Sequence, residues 1–322
     1  TVSSGSQQQW LTRSSKVGGW KDGNWNMVFV GVEGAPQPHC GRDSRLCRNP
    51  FVVVDRAPLV AEKPFISADP ATGKFSLNIP VARRNSTGPD VSANGTWAPA
   101  PAVGFEQVYV ADATRDTAAS INAQLSAGLH VVLAPGIYML NTSLIISTHG
   151  QVLLGLGMAT LVPTAGTPCV TVLDHITGVR VAGLLLQAGS THSPTLLQWG
   201  TPSTLNDSPQ RNAKPRSTKL ADTDHSFFFD IFARVGGPTL PVGEQASAGS
   251  MITIDSSSVI GDNMWLWRAD HMEGGTLVKN GDNPCDHGAV INGDDVIMYG
   301  LAAEHTLKDI VLWSGAQEEY PT

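Results

Sequence analysis

From Cys169 to Gly315 the alternation of apolar and polar positions repeats one phrase four times: a short β-branched run, a turn, then a second apolar run. CVTVLD is followed by VRVAGLLLQAG, TLLQWG by SFFFDIFARVGG, SMITID by VIGDNMWLWRADH and GAVING by DDVIMYGLAAEHT, and DIVLWSG opens a fifth round. Every run has strand length. None places apolar residues at i, i+3, i+4 and i+7 over ten or more positions, so the repeat is one of strands. The second runs begin at Gly183, Asp230, Asn263 and Gly300, intervals of 47, 33 and 37 residues by subtraction, at or near the ~20 to 45 residues of a solenoid unit. A coil of two or three strands cannot bury its own apolar face, whereas stacked coils bury a continuous one, each strand pairing in parallel with its equivalents. The pattern therefore predicts an all-β chain folded as a right-handed parallel β-helix. A β-sandwich, the alternative, carries hairpin turns every ~8 to 12 residues, and tight Asn-Gly hairpins are scarce here.

Residues 1–105 read differently. Trp10, Trp20 and Trp25 punctuate a segment poor in aliphatic residues, followed by a cysteine loop, two strands (PFVVVD and KFSLNIPV) and the linker-like RRNSTGPDVSANGTWAPAPAVG. This part is expected to be an irregular β-rich flank, its tryptophans serving as core anchors ahead of any sugar-stacking role. Residues 106–322 are expected to form the solenoid. The stretch Asp116–Ala127, with Ile121 and Leu125 on one face and Gly128 as its stop, predicts a helix that plugs the first, unpaired coil. At the other end DIVLWSG starts a coil that AQEEYPT does not finish. A bare parallel edge aggregates, so the expectation is that further polypeptide, or another chain, completes the stack.

Composition narrows the function classes. Only 15% of the 322 residues are charged, against about 25% in a typical soluble domain, so surface polarity falls to Ser, Thr, Asn and Gln. A net charge of −7 without any basic run argues against nucleic acid as a partner. No apolar stretch approaches the ~18 residues of a membrane span. Secretion to a cell wall or matrix is inferred from four glycosylation acceptor sequences, at Asn85, Asn94, Asn141 and Asn206, of which Asn206 is weakened by nearby Pro209. The cysteines fit that compartment. Cys40 and Cys47 bracket a polar loop, and a disulfide there would staple a core-poor segment; a lone C-x6-C beside His39 does not make a zinc site. Cys169 and Cys285 precede strands in coils three apart, hence roughly 14 Å at ~4.8 Å per coil, beyond the ~7 Å that a disulfide spans.

INAQLSAG, then VVLAPGIYMLNTSLII, then VLLGLGMATLVP resembles the opening of the pectin lyase-like β-helix proteins, in particular the group near glycoside hydrolase family 55. The blocks DNMWLWRADH, VINGDDV and GLAAEHTLKDIVLW are similar to secreted proteins of that group, some labelled coagulation factor 5/8 type. The resemblance covers nearly the whole chain. It implies an extracellular β-helix that acts on or binds polysaccharide. No cofactor is expected.

Equivalent positions on adjacent coils lie about 4.8 Å apart, so carboxylates ending neighbouring strands become a pair. Asp270-His271 and Glu304-His305 close successive coils and are expected to supply general acid and base groups for a glycosidic bond. Asp294-Asp295 forms a second constellation, 24 and 25 residues after Asp270, like the single-then-paired aspartates of polygalacturonase-type enzymes. Each has a structural reading. Asp174, Asp255 and Asp294 fall at one corner of their coils, where Asp caps turns, and Asp270 and Glu304 suit an ion-pair ladder with Arg268 or Arg234. His175, His192 and His225 argue nothing. A metal site at Asp270, His271, Glu304 and His305 is disfavoured because adjacent strand residues point to opposite faces, so no metal is expected. Long polar loops would wall a groove, in which Trp265, Trp267, Trp313 or Trp199 could stack on sugar rings, with Arg268 among the substrate-binding candidates.

The leading reading is a secreted glycoside hydrolase acting on a glucan. A non-catalytic extracellular rod is the alternative, since fold alone does not fix function. A polyuronide lyase is third, because no Asp cluster with a nearby Arg or Lys stands out.

Overall fold

The structure is a computed structural model that describes residues 1–3, 9–21, 26–38, 51–90, 100–201, 224–238, 240, 243–275 and 277–315. Cys40, Cys47, Asn94, Asn206 and Trp25 lie outside the described residues. The chain divides into two compact units, Thr1–Glu62 with Ile79–Pro101, and Lys63–Asn78 with Ala102–Pro321.

The first unit is more regular than its composition suggests. Gln9–Arg13, Asn26–Val30 and Phe51–Val54 pair in parallel, Val2–Ser3 pairs in parallel with Trp20–Lys21, and Ala57–Val60 pairs antiparallel with Arg83–Ser86. The polar excursions between the short parallel strands hide their period. Its tryptophans anchor a core: Trp10 packs edge-on to Trp20, Trp20 on Phe29 at 4.9 Å between centroids, and Phe29 on Phe51. Phe29 is wholly buried.

The second unit is a parallel β-helix. Its long strands, Val152–Pro163, Arg180–Gln187, Ser226–Val235, Val259–Arg268 and Ile297–Glu304, pair in sequence order, and each of the last four is bent near its middle by one residue of positive φ. Those residues are Gly183 (φ 69°), Asp230 (49°), Asn263 (62°) and Gly300 (65°), in register because Ala182, Phe229, Asp262 and Tyr299 pair before them and Leu184, Ile231, Met264 and Leu301 after. The repeat anchors of the sequence are thus the corners of the coil. Only Gly, Asn and Asp adopt this conformation cheaply, which is why these types recur there. The bent halves form two strand rows. A third row runs Leu144–Ile146, Val170–Val172, Ser193–Trp199, Ala248–Ile254, Cys285–Ile291 and Val311–Trp313, again all in parallel.

Inside, one column of the third row runs Val172, Trp199, Ile254, Ile291, Trp313. The first four are buried. Trp199 and Trp313 are therefore core positions, and Trp313 is 42% exposed only because it stands in the last described coil. The helix spans Ala118–Ser126, capped by Thr117, whose hydroxyl accepts from the Ser120 amide while the Ser120 hydroxyl accepts from the Thr117 amide. Ala118, Ile121 and Leu125 are buried in the solenoid core, and Gln151 closes the helix end by donating to the Leu125 and Leu129 carbonyls. The antiparallel sheet Phe65–Ala68, Phe75–Asn78, Ala102–Gly104 belongs to this unit and not to the amino-terminal one. No helix among the described residues is long and apolar enough to cross a membrane.

Cys169 and Cys285 are free, buried thiols. Desolvation raises both, Cys285 to about 12, and the thiolate is the reactive form. Iodoacetamide at pH 8 is expected to leave both unmodified in the native protein and to label both after unfolding, read by peptide mass mapping; rapid native labelling of either peptide contradicts this burial.

Candidate active site

The second strand row ends at a corner from which the chain leaves the stack, most extensively over residues 269–284. Two adjacent coils meet there. Arg268, the last residue of Val259–Arg268, is buried, and its guanidinium donates to the carbonyls of Asp282, Asn283 and His305 at 2.7 to 3.2 Å. This corrects its assignment as a substrate-binding residue or as the ion partner of Asp270. Its donors are committed to backbone carbonyls, and it fixes the excursion to the start of the next coil's turn.

On that support Asp270, His271, Glu304 and His305 converge. Asp270 Oδ1 lies 2.8 Å from His271 Nδ1, Asp270 Oδ2 lies 3.6 Å from His305 Nε2, and His305 Nδ1 lies 3.5 Å from a Glu304 oxygen. One imidazole separates the two carboxylates. The expectation that neighbouring residues must diverge fails because the strand stops at Arg268, so Asp270 sits in a bend, followed by His271 in an isolated bridge to Leu277, and the strand alternation no longer applies. Among the described residues, no group of three or more His, Cys, Asp or Glu side chains has the geometry to hold a metal ion. The hydrogen bond from His271 holds the Asp270 carboxyl below the ordinary carboxylate range, helped by the His305 charge.

The register differs from expectation. Glu304 pairs with Trp267, not with Asp270, which lies three residues further on. The column holding Glu304 runs Gln187, Arg234, Trp267, Glu304, one residue per coil and each four after a corner residue. Arg234 donates to Gln187 Oε1, and burial lowers its pKa. Gln187 escaped the sequence reading, and Arg234, expected as an ion partner of Asp270 or Glu304, instead donates to Gln187; the constant offset from Gly183 and Asp230 was available to place both in this column. Trp265 is 47% exposed and donates its indole N–H to Glu304 Oε1 at 2.7 Å; its ring lies nearly parallel to that of Trp267, centroids 6.0 Å apart. Trp267 in turn packs on His271 at 5.0 Å.

Asp294 and Asp295 lie at another corner, between the third row and the first. The Asp294 amide donates to Ser257 Oγ, its carbonyl accepts from Ser258, and Asp295 approaches buried His225 at 3.5 Å. Asp174 accepts the Thr201 amide and Asp255 takes Gln198 and Asn292 in the same part of the coil. The single-then-paired aspartate arrangement is therefore not formed, because a whole strand row separates Asp270 from Asp294-Asp295. Of the aromatic candidates, Trp265 and Trp267 face outward at the site, whereas Trp313 belongs to the inward column of another row.

Residues 108–320 match the family described as the LAM55 pectate lyase-like domain. The chain belongs to that family. It is 37% identical over 310 residues to an exo-β-1,3-glucanase of Streptomyces sp. (strain SirexAA-E / ActE), an alignment covering 96% of this chain and 46% of the relative. The solved structure of sacteLam55A from Streptomyces sp. SirexAA-E superposes with a TM-score of 0.79 at 34% identity, over 97% of this chain and 52% of that one. A variant of the same protein in complex with glucose gives 0.78. This LAM55 chain thus spans about half the length of the relatives it matches.

Proposed function

We propose that this LAM55 chain is part of a secreted glycoside hydrolase acting on β-1,3-glucan, with its sugar-handling surface at the corner where His305 bridges Asp270 and Glu304. That bridge, set beside two outward tryptophans, is the observation that carries the reading. Supporting it, the glucanase relative aligns with almost the entire chain. Asp270, kept ionised by its histidine partners, suits a base or a carboxylate facing the developing cationic sugar. Glu304 and the imidazole of His305 are the groups within reach that can carry a proton. Exposed Asn85 and Asn141 would bear glycans in a secreted protein.

One feature favours a second reading. Side-chain exposures of 41 to 54% across the four groups are high for a catalytic centre, where excluded water strengthens each charge, so this corner would bind glucan while other residues cleave it. A panel of β-1,3-, α-1,3- and mixed-linkage glucans and pectins, incubated with the intact protein, tests the hydrolase. Sugar release from β-1,3-glucan is expected; no release from any polymer removes the hydrolase and favours the rod.

A further inference from the structure

Asn-Gly pairs occur in the chain at 94–95, 280–281 and 292–293, and the first lies outside the described residues. Asparagine before glycine is the dipeptide most open to self-modification, because glycine has no side chain to shield its amide nitrogen from the neighbouring side-chain carbonyl carbon. Folding then decides whether the two atoms can meet. Asn292-Gly293 is held apart. The Gly293 amide donates to the Ile254 carbonyl, Asn292 Nδ2 donates to Asp255 Oδ1 and Asn292 Oδ1 accepts from Ser314, at 2.8 to 3.1 Å. Gly293 is also buried.

Asn280-Gly281 is the opposite case. It forms the tip of a turn closed by the Asp282 amide on the Lys279 carbonyl at 3.1 Å, with Gly281 in third position at φ 95°, where type II turns place glycine. Such a turn uses the amide of its fourth residue and leaves that of its third unused. Both tip residues are exposed, and neither the Asn280 side chain nor the Gly281 amide has a hydrogen-bond partner among the described residues. A Cβ built on Gly281 would meet nothing within 4 Å, so water and base reach the tip freely. The base of the turn, by contrast, is fixed: Asp282 Oδ2 accepts from the Lys279 amide, and the Asp282 and Asn283 carbonyls accept from Arg268.

We propose that Asn280 is a site of spontaneous deamidation, through which the excursion over residues 269–284 converts with age to an isoaspartate form. Base removes the Gly281 amide proton, the nitrogen attacks Asn280 Cγ, and the side-chain nitrogen leaves as ammonia, closing a five-membered succinimide ring. Water then opens the ring. Addition at Cγ gives aspartate, and addition at the main-chain carbonyl gives isoaspartate, whose backbone runs through Cγ. One water is consumed and one ammonia released, with no oxidant or enzyme required. Both products add a negative charge, and isoaspartate also lengthens the backbone of the turn by one methylene. Since the base of the turn is fixed, the extra atom is taken up at the tip, where it breaks the bond between the Asp282 amide and the Lys279 carbonyl. This chemistry is independent of what the neighbouring corner binds.

The test is to age the intact protein in mildly alkaline buffer made with heavy-oxygen water and to follow both peptides by mass mapping. Isoaspartate is read by methyl transfer from S-adenosylmethionine with an isoaspartyl methyltransferase. In the native protein the Asn280 peptide should take up one heavy oxygen and become a methyl acceptor about tenfold or more faster than the Asn292 peptide, whose reacting groups must first break their hydrogen bonds. In urea the two should convert at comparable rates. Hydrogen exchange at the Asp282 amide should quicken as conversion proceeds. Asn280→Gln, which keeps an amide but enlarges the ring to be closed, should stay unmodified and retain slow exchange. Equal native rates at the two sites, or an Asn280 that stays intact while the urea control converts, overturns the proposal. A rate difference of the same size in urea traces it to local sequence and overturns it too. Conversion that leaves the Asp282 amide as slow as before overturns the opening of the turn.

Discussion

Asp270→Asn and Glu304→Gln are each expected to lower the rate of β-1,3-glucan hydrolysis by about 10²-fold or more, with the melting temperature unchanged. Both substitutions keep side-chain volume and act on half-exposed groups, for which stability effects stay within about 0.5 kcal/mol. Removing the charge of Asp270 releases His271 and His305 from their shared carboxylate. Changing Glu304 leaves the indole of Trp265 facing an amide in place of a carboxylate. The acid side of the pH profile carries a further signature. A carboxyl whose folded pKa is depressed stays ionised as pH falls below the ordinary aspartate value of about 4, so activity that needs Asp270 charged should persist to that point and fail only below it. Wild-type rates in both variants would show that the cluster takes no part in bond cleavage, and would leave it the binding role alone.

A second large effect is expected far from this corner. Gly183 has φ 69°, and a Cβ built on it would meet the Gly155 carbonyl oxygen at 2.5 Å. Gly183→Val therefore combines left-handed strain of about 1 to 2 kcal/mol with a backbone collision that the stacked coil cannot relieve. A total loss of about 3 kcal/mol or more is expected in urea unfolding, read as a lowered midpoint. Asn263→Gly, at the equivalent corner one coil beyond Asp230, is expected to change stability by less than about 1 kcal/mol, because glycine accepts the same φ. Equal effects at the two positions would show that backbone conformation does not set the corner.

The solenoid was legible because its signal is repetition: Gly183, Asp230, Asn263 and Gly300 mark real corners, and the runs between them alternate as paired strands must. The carboxylate pair was legible in membership and wrong in register. Asp270 lies seven residues beyond its corner and Glu304 four beyond its own, so a 34-residue separation suggested stacking that the offsets exclude. Convergence was instead achieved by His305, whose ring spans the gap, and by the buried guanidinium of Arg268, whose carbonyl partners no sequence pattern announces. Aspartates at 294 and 295 misled because spacing along the chain says nothing of which side of the coil a residue occupies. The amino-terminal parallel sheet stayed hidden since strands of four or five residues, separated by polar excursions, produce no period.

Helix Ala118–Ser126 is made before the coils that stack beyond it, and the order of synthesis then matters. The corners at Gly183, Asp230, Asn263 and Gly300 leave 33 to 47 residues per coil by subtraction, which a ribosome translating at about 5 to 20 residues per second delivers in a few seconds. Hairpin-scale pairing takes about microseconds. Each coil can therefore dock on a finished predecessor before the next has left the exit tunnel, so the chain grows as a templated filament whose exposed edge is always the newest strand. The edge that would recruit another molecule thus exists during synthesis for only seconds at a time, and a ribosome stalled between two corners would prolong it.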